Sequence, residues 1–87
     1  EKTNKWIKDY IIRLDSIENW EKEAIESNLR KISEVNDISA GKLIHPTRLA
    51  VSGIPDGPSL FSMMALLGQD VCIRRLNKGL DIFPLQS

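Results

Sequence analysis

Gly53-Ile54-Pro55-Asp56-Gly57-Pro58-Ser59-Leu60-Phe61 is the densest run of backbone punctuation in this 87-residue chain, and what flanks it decides the fold. Two glycines and two prolines between positions 53 and 58 predict a tight, well-defined loop, since glycine tolerates left-handed backbone and proline restricts φ. Downstream, Leu60, Phe61, Met64 and Leu67 recur at helical spacing, with Met63 and Leu66 beside them. Pro58 suits the first position of that helix and Gly68 the left-handed residue that ends it. Asp70 is placed to cap a last helix that turns Ile73, Leu76 and Leu80 inward and Arg74, Arg75 and Lys78 outward. Residues 81–87 carry no such pattern and read as a loose tail.

Upstream of the loop, Leu43, Ile44, Leu49, Ala50 and Val51 are placed to face inward. Pro46 lacks an amide hydrogen and crowds the preceding turn, so the pattern predicts a turn through Lys42 and a helix from Pro46 to Ser52, with Ser39 as a possible cap. Asn36-Asp37 ends a longer helix whose buried stripe is Trp20, Ala24, Ile25, Leu29 and Ile32. Asn19 is its expected cap, and Glu21 and Glu23 suit a first turn with partly positive amide ends. Glu18 with Lys22 and Glu26 with Arg30 are acid-before-base pairs at four-residue spacing on the outer face. Before them, Trp6, Ile7, Tyr10, Ile11 and Leu14 make the stripe of a first helix from about Asn4 to Asp15. Five short helices without alternating strand pattern or internal repeat predict an all-α fold, a compact helical bundle forming one domain across the chain.

Composition excludes several classes of function. The chain is 41% hydrophobic and 28% charged, the balance of a globular protein. Its apolar runs are far shorter than the ~20 residues of a membrane span. No basic-then-apolar leader is visible, so a cytoplasmic protein is expected. Cys72 is the only cysteine and His45 the only histidine, too few to build a zinc site or an internal disulfide. His45, before Pro46, reads as a turn or partner-facing residue. No serine or cysteine has a plausible base to complete a triad, and the carboxylates sit on outer helix faces. No glycine loop followed by Lys-Ser or Lys-Thr is present to cradle phosphate. The pattern is that of a binding module without a catalytic site. Net charge is zero but uneven: positions 39–80 hold Lys42, Arg48, Arg74, Arg75 and Lys78 against Asp56 and Asp70 alone. That permits contact with a polyanion without requiring it.

The loop and its neighbours supply candidate binding groups. Gly57 leaves room for close approach, Pro58 and Leu60 offer apolar surface, and the next helix begins with amides that attract negative charge. Arg48 presents a planar guanidinium that can stack on a base, fork onto a base edge or hold phosphate. Together these suit an unpaired base. Spacing alone favours a plainer reading, in which Gly57-Pro58 is a loop-to-helix junction and Arg48 a surface ion-pair residue.

Read in order, Gly41-Lys42-Leu43, His45-Pro46-Thr47-Arg48-Leu49-Ala50-Val51-Ser52-Gly53, Gly57-Pro58-Ser59-Leu60-Phe61, Leu66-Leu67-Gly68 and Arg74-Arg75-Leu76 resemble the carboxy-terminal anticodon-binding region of bacterial-type glutamyl-tRNA synthetases. The match covers nearly the last half of the chain, and Trp20 with Ala24, Ile25 and Leu29 is similar to the helix that precedes this block in the family. The resemblance implies a helical cage that grips the anticodon loop of tRNA(Glu). By position in the motif, Arg48, Gly57, Pro58 and Leu60 match the anticodon-contacting residues. Arg74, Arg75 and Lys78 are possible backbone contacts, with a solvated helix face an equal reading.

Thr47 stands where the family commonly has leucine, and Ser59 where glycine is frequent. The His-Gly-His and Lys-Met-Ser-Lys-Ser types of motif are absent, so the resemblance implies an excised domain that binds and does not catalyse. Its catalytic and upstream anticodon-binding domains would be the partners. ATP and magnesium would belong to the full glutamate-tRNA ligase, and the fragment itself would need no cofactor. A monomer is expected, and whether the full enzyme also charges tRNA(Gln) stays open. The competing reading is a helical protein-interaction module that uses the same loop.

Overall fold

Five α-helices follow one another in the computed structural model: α1 (Lys2–Asp15), α2 (Lys22–Val35), α3 (Gly41–Ser52), α4 (Leu60–Leu67) and α5 (Gln69–Ile82). The structure describes residues 2–54, 57 and 59–82, with Lys2, Asp81 and Ile82 described by their backbone only, and no strand occurs among them. The all-α expectation is met. The first helix packs on α5, α2 and α3, while α2 also lies against α4 and α3 against α5. Ile7, Tyr10 and Leu14 of α1 meet Ile25, Leu29 and Ile32 of α2, Leu43 and Val51 of α3, Leu60, Phe61 and Met64 of α4, and Cys72 and Leu76 of α5 in one core. Each fully buried leucine- or isoleucine-sized side chain contributes ~1.5–3 kcal/mol, which is how a domain this small sustains a fold.

The second helix starts later than its sequence suggests. Glu21, not Asn19, occupies the cap position, in extended backbone and with no side-chain cap bond. Trp20 explains the delay: its Nε1 donates to the Met64 carbonyl at 2.9 Å, pinning the indole against α4 and keeping its own backbone out of the helix. Of the two charged pairs, Glu26 and Arg30 meet at 2.8 Å, whereas Glu18 lies in the turn ahead of the helix. At the other end Asn36-Asp37 does terminate α2. Asn36 Nδ2 donates to the Ile32 carbonyl at 2.8 Å, Asp37 turns left-handed at φ 54°, and the Ile38 amide returns to the Ser33 carbonyl.

Pro46 does not begin or break a helix; it lies inside α3, which starts at Gly41. Leu43, Thr47 and Val51, four residues apart, are all buried on one stripe that spans the proline. An interior proline costs about 3 kcal/mol relative to alanine, and burying Leu43 on the continuous stripe offsets a comparable ~1.5–3 kcal/mol. Ser39 accepts the Lys42 amide through its backbone carbonyl, so its hydroxyl is not the cap. Leu49, expected inside, is 36% exposed. Two residues beyond Thr47 is just over half a turn away, and Thr47 takes the core position instead.

Ser59 caps α4, its Oγ accepting from the Ser62 amide, and Gly68 closes that helix at φ 97°. The expectation for Pro58 falls outside the described residues. Leu60, Phe61 and Met64 are inside as expected, while Leu66 stands in solvent. The last helix begins at Gln69, which moves Asp70 from the cap into the first turn. Gln69 Nε2 donates to the carbonyls of Leu14 and Ile17 at 2.7 and 3.0 Å and so closes the end of α1. Residues 81 and 82, expected in the tail, continue α5, and positions 83–87 lie outside the description.

Candidate nucleic-acid interface

The end of α3 is held on several sides. Gly53 takes the left-handed conformation at φ 79° and its amide donates to the Leu49 carbonyl at 2.9 Å. Ser52 Oγ donates to the Arg48 carbonyl at 2.7 Å and accepts from the Ile54 amide at 3.3 Å. The segment that leaves the helix is therefore tied back to the turn that carries Arg48.

Gly57 lies beside that arginine. Its φ of +143° is a conformation side-chain-bearing residues rarely adopt, and a Cβ there would sit 3.8 Å from Arg48 Nη1 and 3.5 Å from Ile54 Cδ1. The structure thus brings together two of the four residues singled out in the sequence. Pro58 lies outside the described residues. Leu60 turns its side chain into the core at 2% exposure, directly beyond the Ser59 cap. The outward apolar surface near the loop comes from Ile54, 52% exposed, and Leu49. Neither was singled out, although an isoleucine between Gly53 and Pro55 is an apolar residue placed where burial is hard to achieve.

Arg74, Arg75 and Lys78 are all exposed on α5. Arg75 does more than face solvent, since its Nη1 donates to the Val51 carbonyl at 2.6 Å. Arg74 and Lys78, four residues apart, share a flank of the same helix. His45 is exposed on α3, in helix rather than in a turn. Among the described residues no group of three or more His, Cys, Asp or Glu side chains could hold a metal ion. Burial pushes the Cys72 thiol up to about 11, which keeps it protonated and a poor nucleophile. No described helix is long and apolar enough to cross a membrane.

A family model described as an anticodon binding domain matches residues 1–80. This chain belongs to the anticodon-binding domain family. A glutamate-tRNA ligase of Chloroherpeton thalassium is 38% identical to this domain over 87 residues, all of the chain and 17% of that protein. Glutamate-tRNA ligase 2 of Thermoanaerobacter pseudethanolicus is 42% identical over 81 residues, 93% of the chain and again 17% of the relative. The anticodon-binding domain therefore spans about a sixth of the relatives it matches. Its fold is that of a solved glutamate tRNA ligase from Elizabethkingia meningosepticum, with a TM-score of 0.86 over 92% of this chain, 16% of that one, at 24% identity.

Proposed function

We propose that this anticodon-binding domain reads the anticodon loop of tRNA(Glu) for a glutamate-tRNA ligase. The observation that carries the reading is the placement of the Arg48 guanidinium beside the side-chain-free Gly57, at a loop anchored to the end of α3. A planar cation next to bare backbone suits an unstacked base, which can be stacked, forked onto at an edge, or approached closely by the main chain. Arg48 bonds or stacks with one base, and Gly57 with Pro58 borders the central one. Leu60, seated in the core below, supports the start of α4 from inside.

Within the whole ligase this domain contributes substrate selection and orientation. ATP and magnesium have no expected role at this loop, which lacks a Gly-rich run into Lys-Ser or Lys-Thr. Those groups belong to the catalytic part, in a cytoplasmic and monomeric enzyme. Arg74 and Lys78 are placed for phosphate contacts that position the strand without reading it.

Titration of the isotopically labelled domain with the tRNA(Glu) anticodon stem-loop, against a scrambled loop, tests the reading. Shifts concentrated between residues 48 and 60 are the expected result, and Arg48→Ala weakens binding to the matched loop by about 1–3 kcal/mol. Uniform weak shifts, equal for both loops, overturn it in favour of a protein-interaction module.

A further inference from the structure

The two tryptophans of this domain are used differently. Trp20 commits its Nε1 to the Met64 carbonyl, whereas Trp6 Nε1 meets no acceptor among the described residues. Trp6 is half-buried and lines an open pocket of about 320 Å³ with Lys5, Asn36, Ile38 and Lys42. Asn36 is fixed at the rim by its Nδ2, which donates to the Ile32 carbonyl at 2.8 Å. Two lysines, a tryptophan and an asparagine thus border one opening. No carboxylate is among the lining residues; the nearest in sequence, Asp37, is exposed between Asn36 and Ile38.

Lys42 belongs to this pocket and also starts a line along α3. Lys42, His45 and Arg48 follow at three-residue steps, the first two exposed and the third half-buried, on a helix without a single carboxylate. From Lys42 to Arg48 the line rises about 9 Å along the axis while turning about 120° around it, an axial span of between two and three steps of a stacked strand at roughly 3.4 Å each. One end meets Gly57 and the other meets Trp6.

We propose that the pocket formed by Lys5, Trp6, Asn36, Ile38 and Lys42 is a second nucleotide subsite, seating one base against Trp6 with its phosphate between the two lysines. The Lys42-His45-Arg48 line carries the strand from this subsite to the loop. An aromatic face with flanking cations binds an unpaired nucleotide of any sequence, because every base has a π-face and every linkage a charge. The subsite therefore adds affinity and register, while discrimination stays at the loop. The inference rests on the proposed RNA reading and continues it away from the anticodon.

The indole N–H signals of Trp6 and Trp20, assigned from Trp→Phe variants, provide the test during titration with the anticodon stem-loop. Trp6 shifts and Trp20 does not. The double variant Lys5→Gln with Lys42→Gln, both exposed and outside the core, weakens matched and scrambled loops alike by several-fold. It also lowers the slope of log affinity against log salt by about 0.7, the value for the one phosphate held between them. A stationary Trp6 signal at saturation, with residues 48–57 shifting, overturns the subsite but leaves the anticodon reading standing and assigns the pocket to a polypeptide neighbour. No shift in either region removes both.

Discussion

Arg75 Nη1 donates to the main-chain oxygen of Val51 at 2.6 Å, joining the outer flank of α5 to the last turn of α3. Carbonyls at a helix end have no partner within the helix, and a cation there meets the negative end of the dipole. The arginine thus stabilises the turn that presents Arg48. Arg75→Ala lowers unfolding free energy by about 1–2 kcal/mol, toward the low end of the ~1.5–3 kcal/mol of a charged donor because the guanidinium is partly solvated. Urea denaturation measures it, and an unchanged midpoint refutes the structural role.

Gly57 is held where an added methyl group meets Arg48 and Ile54, in backbone that alanine adopts only under strain. Gly57→Ala is expected to cost about 1–3 kcal/mol of local strain. The loop relieves it by moving, so binding of the matched stem-loop weakens more than global stability falls. Equal affinity for variant and wild type would show that the loop's conformation is irrelevant to recognition.

Thr47 is fully buried, and its Oγ1 meets no hydrogen-bond partner among the described residues. Thr47→Val keeps the branched shape and removes the orphaned hydroxyl, whose desolvation costs ~1–3 kcal/mol. Thermal denaturation should show a more stable domain, with RNA affinity unaltered because Thr47 faces away from the loop surface. A lower melting temperature means the hydroxyl has a partner after all.

Alkaline stability follows from two buried acids. Burial raises the Cys72 thiol from 9.0 to about 11, with the Arg75 charge pulling weakly the other way. Burial also raises the Tyr10 hydroxyl, which donates to the Ile25 carbonyl at 2.9 Å. Between about pH 9 and pH 11 the folded domain keeps the Cys72 proton that the unfolded chain releases, so stability falls as pH rises through that window. Below it this contribution is complete and flat. Denaturation midpoints across the window test the sign, and Cys72→Ala makes the decline shallower.

The helices that were legible in the sequence are those where burial, capping and spacing agree. Ile7, Tyr10 and Leu14, like Ile25, Leu29 and Ile32, repeat at three and four and lie buried as that spacing requires. The misplaced boundaries have long-range causes. Trp20 delays α2 through a bond to a residue 44 positions away, and Gln69 opens α5 while reaching more than 50 positions back. Local pattern contains neither partner. At Pro46 the pattern pointed to a break, but tertiary burial of the Leu43-Thr47-Val51 stripe prevailed. Within the site, Arg48 and Gly57 were readable as residue types and their adjacency came from the fold. Leu60 had two readings, inward by its helical spacing with Phe61 and Met64 and outward as apolar surface beside the loop, and the fold keeps the first.

The amide of Gln69, bonded at once to Leu14 and Ile17, also constrains the order of assembly. During synthesis the opening helix emerges long before the segment that clasps it. An early chain can coil α1 and α2 locally, yet α1 stays without its closing partner until the final helix has left the ribosome. Closure of α1 is thereby a late event in assembly, and a chain cut ahead of α5 is expected to leave the end of α1 more open to proteases.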